Sequence, residues 1–186
     1  MDSSLLTGVG LAAPAGLNAY LPLLILALAG RFSDAIPLGH PYDLISTPWG
    51  IAVITLLLTV EIVVDKVPGL DHANDLIQSV IRPASGSVLT LASTADRGSI
   101  NPVVAVVLGL VIAGSVHAVK ATTRPMVTLT TGGLGNPLVS TAEDGVAAVT
   151  AATAIFLPIL AIVLILLFGL LVICGIRYGR RRLARI

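Results

Sequence analysis

Cysteine occurs once in the 186 residues, aromatic side chains make up 4%, and only 11% of the residues are charged. The lone thiol, Cys174, excludes an internal disulfide framework, and its place inside an apolar run gives it no redox signature. The shortage of charge excludes more. An ordinary soluble domain carries roughly 25% charged residues, and a compact chain with far fewer cannot cover its surface with polar groups. A surface that faces lipid needs none. With 55% hydrophobic residues and a net charge of +1, the composition predicts one domain embedded in a membrane. The signatures of catalysis are also missing: there is no HExxH, no Walker loop and no GxSxG. Gly132, Gly133 and Gly135 follow no predicted strand and make no dinucleotide fingerprint. These absences predict no enzyme, no cofactor, no metal centre of recognised spacing and no nucleic-acid partner.

What is present is apolar length. A bilayer core takes about 20 apolar residues as helix, and four runs qualify: residues 9–29, 48–67, 102–119 and 146–176. The first is interrupted by Pro14, Gly16, Asn18 and Pro22. Residues 1–7 before it carry Asp2 and no Lys or Arg, unlike a cleavable signal. Thr47 is placed to cap the second run, with Pro48 at its first helical position and Trp49 as an interfacial anchor. Asn101 and Pro102 open the third in the same way. The fourth, at 1.5 Å per residue, is about 46 Å long against a ~30 Å hydrocarbon core, so it must tilt, kink or begin outside it. Its Ala, Val and Thr up to Ala154 suit packing on protein, and its larger apolar residues after Pro158 suit lipid. Ser140 and Glu143 have the spacing of a capping box at its start.

Charge placement orients these runs. Arg177, Arg180, Arg181, Arg182 and Arg185 make residues 177–186 a basic tail on a transmembrane domain of residues 1–176, and the positive-inside rule puts that tail in the cytoplasm. Four crossings then place Lys66, Arg82 and Arg97 inside, and Arg31, Lys120 and Arg124 outside. Two stretches fit neither span nor loop. Residues 71–81 read as an amphipathic helix with an apolar stripe at Leu76, Ile77, Val80 and Ile81, Asp71 as cap and Pro83 as stop; residues 84–97 after it are too broken to cross. Residues 122–140, rich in Thr and Gly, enter a membrane only if buried in protein or lining a wet cavity. The first run has the same character. Either it is a broken helix exposing backbone dipoles, or a proline kink satisfied by its neighbours. Short echoes link Gly16-Leu17-Asn18 with Gly133-Leu134-Gly135-Asn136, and Arg82-Pro83 with Arg124-Pro125.

Ionisable groups inside spans are costly and mark candidate sites. Glu61 lies within the second span with Asp65 one turn on, so two carboxylates share a helix face able to hold a cation or a proton. Asp71, His72 and Asp75 follow; Lys66 and Arg82 offer to neutralise them in a purely architectural network. His117, Lys120 and Arg124 recur at helical spacing, with Glu143 and Asp144 placed on the same side. They form either a salt-bridged cluster or a site for an anionic lipid phosphate, with Arg124 as its donor.

The segments Gly16-Leu17-Asn18-Ala19-Tyr20-Leu21-Pro22, Glu61 with Asp65-Lys66-Val67-Pro68-Gly69-Leu70-Asp71, and Arg82-Pro83-Ala84-Ser85-Gly86 come in order. His117, Lys120 and Arg124, then Asn136-Pro137 with Ser140, Glu143 and Asp144, complete the series. Together, over residues 8–160, they resemble the bacterial membrane family known as domain of unknown function 4126. The resemblance implies a multi-pass protein of the bacterial plasma membrane and supplies neither activity nor substrate. The fold expected is all-α: a transmembrane bundle of about four spans with an amphipathic helix and a re-entrant or broken-helix segment. The function expected is a small transporter or channel-like protein for a solute, cation or lipid. The alternative is a non-transporting scaffold, a homo-oligomer assembled through the small-residue face at residues 147–154. The candidate site residues are Asn18, Glu61, Asp65, Asp71, Arg82, His117, Lys120, Arg124, Glu143 and Asp144.

Overall fold

A computed structural model describes residues 3–33, 36–67, 70–95 and 100–183, with side chains at 70–73, 168, 171–173 and 175–183 left out. Among the described residues there are seven α-helices and no strand. They are α1 (Ser3–Ala15), α2 (Tyr20–Phe32), α3 (Pro48–Val64), α4 (Leu70–Thr94), α5 (Pro102–Thr131), α6 (Asn136–Phe156) and α7 (Pro158–Leu183). Two starts follow the sequence signals directly. Thr47 accepts from the Gly50 N–H at 3.0 Å with Pro48 opening α3, and Asn101 accepts from the Val103 N–H at 2.8 Å with Pro102 opening α5.

Elsewhere the chain departs from the expected spans. Residues 9–29 are not one helix: α1 ends at Ala15 and α2 begins at Tyr20, so the broken-helix reading holds. Residues 146–176 are likewise divided at Leu157, because the residue before Pro158 is driven out of the helical region to φ −139°, ψ 65°. The capping box is absent, since α6 starts a turn earlier, at Asn136, and Ser140 lies inside it, fully buried. Pro83 does not stop a helix, and residues 84–94 are not broken, since α4 runs through Pro83 to Thr94; residues 96 and 97 lie outside the described residues. Nor are residues 122–140 irregular. Helix α5 continues through Pro125 to Thr131, and the turn is made by Gly132 and Gly133 at φ 61° and 87°, a region open to glycine. The N–H groups of both donate to the Thr128 carbonyl, closing the helix end.

Only α5, among the described residues, is long and apolar enough to cross a bilayer alone; α1, α2 and α3 are apolar but have 13, 13 and 17 residues. The polarity of α4 is inverted. Gln78, Arg82, Ser85, Thr90, Ser93 and Thr94 of α4 are buried, while Leu76, Ile77 and Val80 on its other face are exposed. Trp49, at the start of α3, is 82% exposed.

Helices α4 and α5 run antiparallel at very short range. Ser87 donates to the Val106 carbonyl at 2.9 Å, and Gly86 meets Gly109 so closely that a Cβ on either would strike the other's backbone. Each step toward the start of α4 pairs with a step toward the end of α5, so Arg82 comes to face His117. The end of α1 leans on the same helix, where a Cβ at Gly16 would collide with the Ala113 carbonyl and Val116. Ala147, Ala151 and Ala154 of α6 are completely buried, and a Cβ at Gly10 would lie 2.8 Å from that of Ala154. The small-residue face expected to pair two copies is therefore spent on α1 within one chain.

Candidate functional site

The interruption at residues 16–19 leaves backbone groups that need partners wherever water is excluded. The N–H groups of Gly16, Leu17 and Asn18 bond back to Ala13 and Pro14. The Oδ1 of Asn18 accepts from Tyr20 and Leu21 at 3.2 and 2.9 Å, capping α2. The Ala19 N–H points at Glu61 and lies 3.1 and 3.3 Å from its two oxygens. Two carbonyls face the other way: Leu17 accepts from Lys120 Nζ at 2.7 Å, and Ala19 accepts from Ser85 Oγ at 2.6 Å. A carboxylate thus sits at the positive end of α2, where its charge is favoured.

Around this point the charged side chains converge. Arg82 donates to Glu61 through Nε and Nη2 at 3.3 and 3.1 Å, reaches Asp65 at 3.5 Å and Asp75 at 3.4 Å, and meets Nδ1 of His117 at 3.0 Å. Because arginine only donates, His117 accepts at Nδ1 and is neutral in this arrangement. Asp65 also receives Lys120 at 3.0 Å, Arg124 at 3.1 Å and Asn74 at 2.7 Å. Glu143 joins through Oε2, which accepts from Arg124 at 2.9 Å and lies 3.1 Å from Lys120 Nζ. Asp144 ties Lys66, at 3.2 Å, to the amide of Asn18, at 2.9 Å. Glu61, Asp65, Arg82, Lys120 and Arg124 are each at most 3% exposed.

The side assignment from sequence is corrected by this geometry. Lys66 and Arg82 were expected on one face of the membrane and Lys120 and Arg124 on the other; all four belong to one network. The count went astray at α4, which pairs lengthwise with α5 instead of lying on a surface. Nine of the ten candidate residues are brought together. Asp71 lies outside the described side chains, as does His72. The sequence reading did not place Asn74, Asp75 or Ser85 in the site. Their signal was the polar face of α4, on which Asp75, Gln78 and Arg82 recur at helical spacing.

The network holds five carboxylates (Glu61, Asp65, Asp75, Glu143, Asp144) against four cations (Lys66, Arg82, Lys120, Arg124), an excess of one negative charge among the described residues. Among the described residues, three buried polar atoms have no hydrogen-bond partner: Gln78 Oε1, Arg124 Nη1 and Ser140 Oγ. Arg124 Nη1 still lies 4.0 Å from Asp75. No group of three or more metal-ligating side chains occurs among the described residues.

Beside the network runs a groove of about 920 Å³ between α1, α5, α6 and α7. Its walls are apolar, with Pro14, Leu17, Val116, Val119, Val146 and Val149 among them, and Lys120 and Glu143 belong to both groove and network. The volume lies near the top of the roughly 300–1,000 Å³ range of small-molecule sites.

No curated protein and no solved structure matches the chain. Residues 5–178 match the family described as Domain of unknown function (DUF4126), and the chain belongs to that family.

Proposed function

We propose that this is an integral membrane protein of transporter type. The network at the α1–α2 break is its polar site, and the groove is the lateral route to it. One observation carries the reading: Lys120 and Glu143 line the groove and also belong to the buried network. A route lined by apolar side chains that touches buried charge suits a solute able to enter from lipid. Inverted polarity supports membrane embedding, because exposed Leu76, Val80 and Leu129 are stable against lipid and costly against water. The basic tail argues for a cytoplasmic C-terminus in a bacterial plasma membrane.

The test is flux. Purified protein in proteoliposomes should pass at least one lipid-soluble solute from a panel spanning cations, anions and neutral compounds. Gly145 lines the groove, and a Cβ placed there meets nothing within 4 Å, so Gly145→Trp, checked for an unchanged melting temperature, should obstruct the route. Abolished flux in that variant supports the reading. Absence of flux for every solute, or flux indifferent to Gly145→Trp, contradicts it. The scaffold reading has its own support, since each of the four cations of the network already has a carboxylate partner. It predicts that Glu143→Gln alters stability alone.

A further inference from the structure

We infer that the occupant of the groove is a lipophilic cation, an alkyl chain or ring system carrying a protonated amine, seated with its ammonium on Glu143. The inference rests on the transporter reading above and names its substrate class. It follows from which charged groups beside the groove are buried and which keep an exposed, unpaired oxygen.

The cations are buried. Lys120 donates to the Leu17 carbonyl at 2.7 Å and to Asp65 at 3.0 Å and pairs with Glu143 at 3.1 Å, and its side chain is 0% exposed. Thr123 donates to carbonyls of its own helix at 3.0 Å, and Ser115 does the same at 2.6 Å to Val111. Arg124 is 3% exposed and does not line the groove; its Nη2 is committed to Asp65 and Glu143, and its unpartnered Nη1 is buried. A phosphate or carboxylate head entering from the groove would find both cations buried and the more exposed Glu143 carboxylate repelling it.

Acceptors remain. Glu143 receives both of its cations on Oε2; its Oε1 takes no hydrogen bond from the described residues, and its side chain is 14% exposed, on the groove. The hydroxyl oxygens of Thr123 and Ser115, both on the groove, keep lone pairs. Charge agrees with this, because among the described residues the network carries one more carboxylate than cation. A bound ammonium would complete it, and the apolar walls would cover the rest of the molecule.

The experiment is a thermal-shift titration of the full-length protein in a neutral detergent with three probes of equal chain length: dodecylamine, dodecanol and dodecanoate. At pH 7 the amine should raise the melting temperature saturably and bind at least about tenfold more tightly than the alcohol, with dodecanoate weakest. Gly145→Trp should lose the response to all three. Glu143→Gln should bring the amine down to the alcohol; if that variant does not fold, the three-probe ranking on the native chain decides alone. Equal binding of the three probes, abolished by Gly145→Trp, overturns the cation inference and keeps the groove as a site. Binding unaffected by Gly145→Trp overturns the groove itself.

Discussion

The Ala19 N–H donates to the carboxylate of Glu61, joining the broken end of one helix to the interior of another forty-two residues later. That single contact explains why a carboxylate is retained in an apolar helix. Glu61 takes the place that a preceding helical turn would have filled, and Arg82 balances its charge from α4. Removing it leaves a guanidinium buried and an amide unpaired. Glu61→Ala should therefore destabilise the protein by about 3–5 kcal/mol, read as the shift of its unfolding midpoint in mixed micelles. Combining Glu61→Gln with Arg82→Gln should recover part of that loss. A single variant as stable as the native chain would remove Glu61 from its assigned role.

Asn18 works on the same break from the other side. Its Oδ1 caps α2 and its Nδ2 holds Asp144. Asn18→Ala should cost about 1–2 kcal/mol in the same assay, more than an exposed substitution such as Thr141→Ala.

The α4–α5 contact predicts opposite outcomes at two glycines. Gly109→Ala drives a methyl group into Gly86 and should cost about 1–3 kcal/mol. Gly145→Ala meets open space within a helix and should gain up to about 1 kcal/mol. The pair is read by melting temperature, and equal effects would contradict the close crossing.

The merged network also revises the topology. With Cys174 replaced by serine, cysteines at Lys66 and Thr130 should react with a membrane-impermeant maleimide from one side, and a cysteine at Asn101 from the other. Labelling of Lys66→Cys and Thr130→Cys from opposite sides would restore the arrangement that charge counting alone suggests.

That revision shows what was legible in the residues. The caps at Thr47 and Asn101 were, because an N-cap and a following proline are local chemistry that tertiary contacts rarely change. The interruption at Gly16 and Asn18 was as well, and so was the importance of scarce charge in an apolar chain. Helix α4 was not. Its Gln78, Arg82, Ser85, Thr90 and Ser93 face inward, which lowers its mean hydropathy to that of a surface helix, although its exposed face is apolar. Pro83 read as a terminator for the same reason: a proline inside a helix is costly unless neighbours close around it, and Gly114 makes room for its ring on α5. Once α4 is taken as a surface element, Lys120 and Arg124 are assigned to the side opposite Lys66 and Arg82. Convergence of Arg82 and Arg124 on Asp65 is then invisible, though the repeated Arg-Pro pair hinted at it.

The central claim is that residues from separate helices form one buried ionic unit at the broken helix, and Asp65 with Arg124, 3.1 Å apart, is its most direct test. A double-mutant cycle of Asp65→Asn and Arg124→Gln, followed by reversible unfolding in mixed micelles, measures their coupling. The account predicts an interaction free energy of about 1–3 kcal/mol. Strictly additive effects of the two substitutions would contradict it.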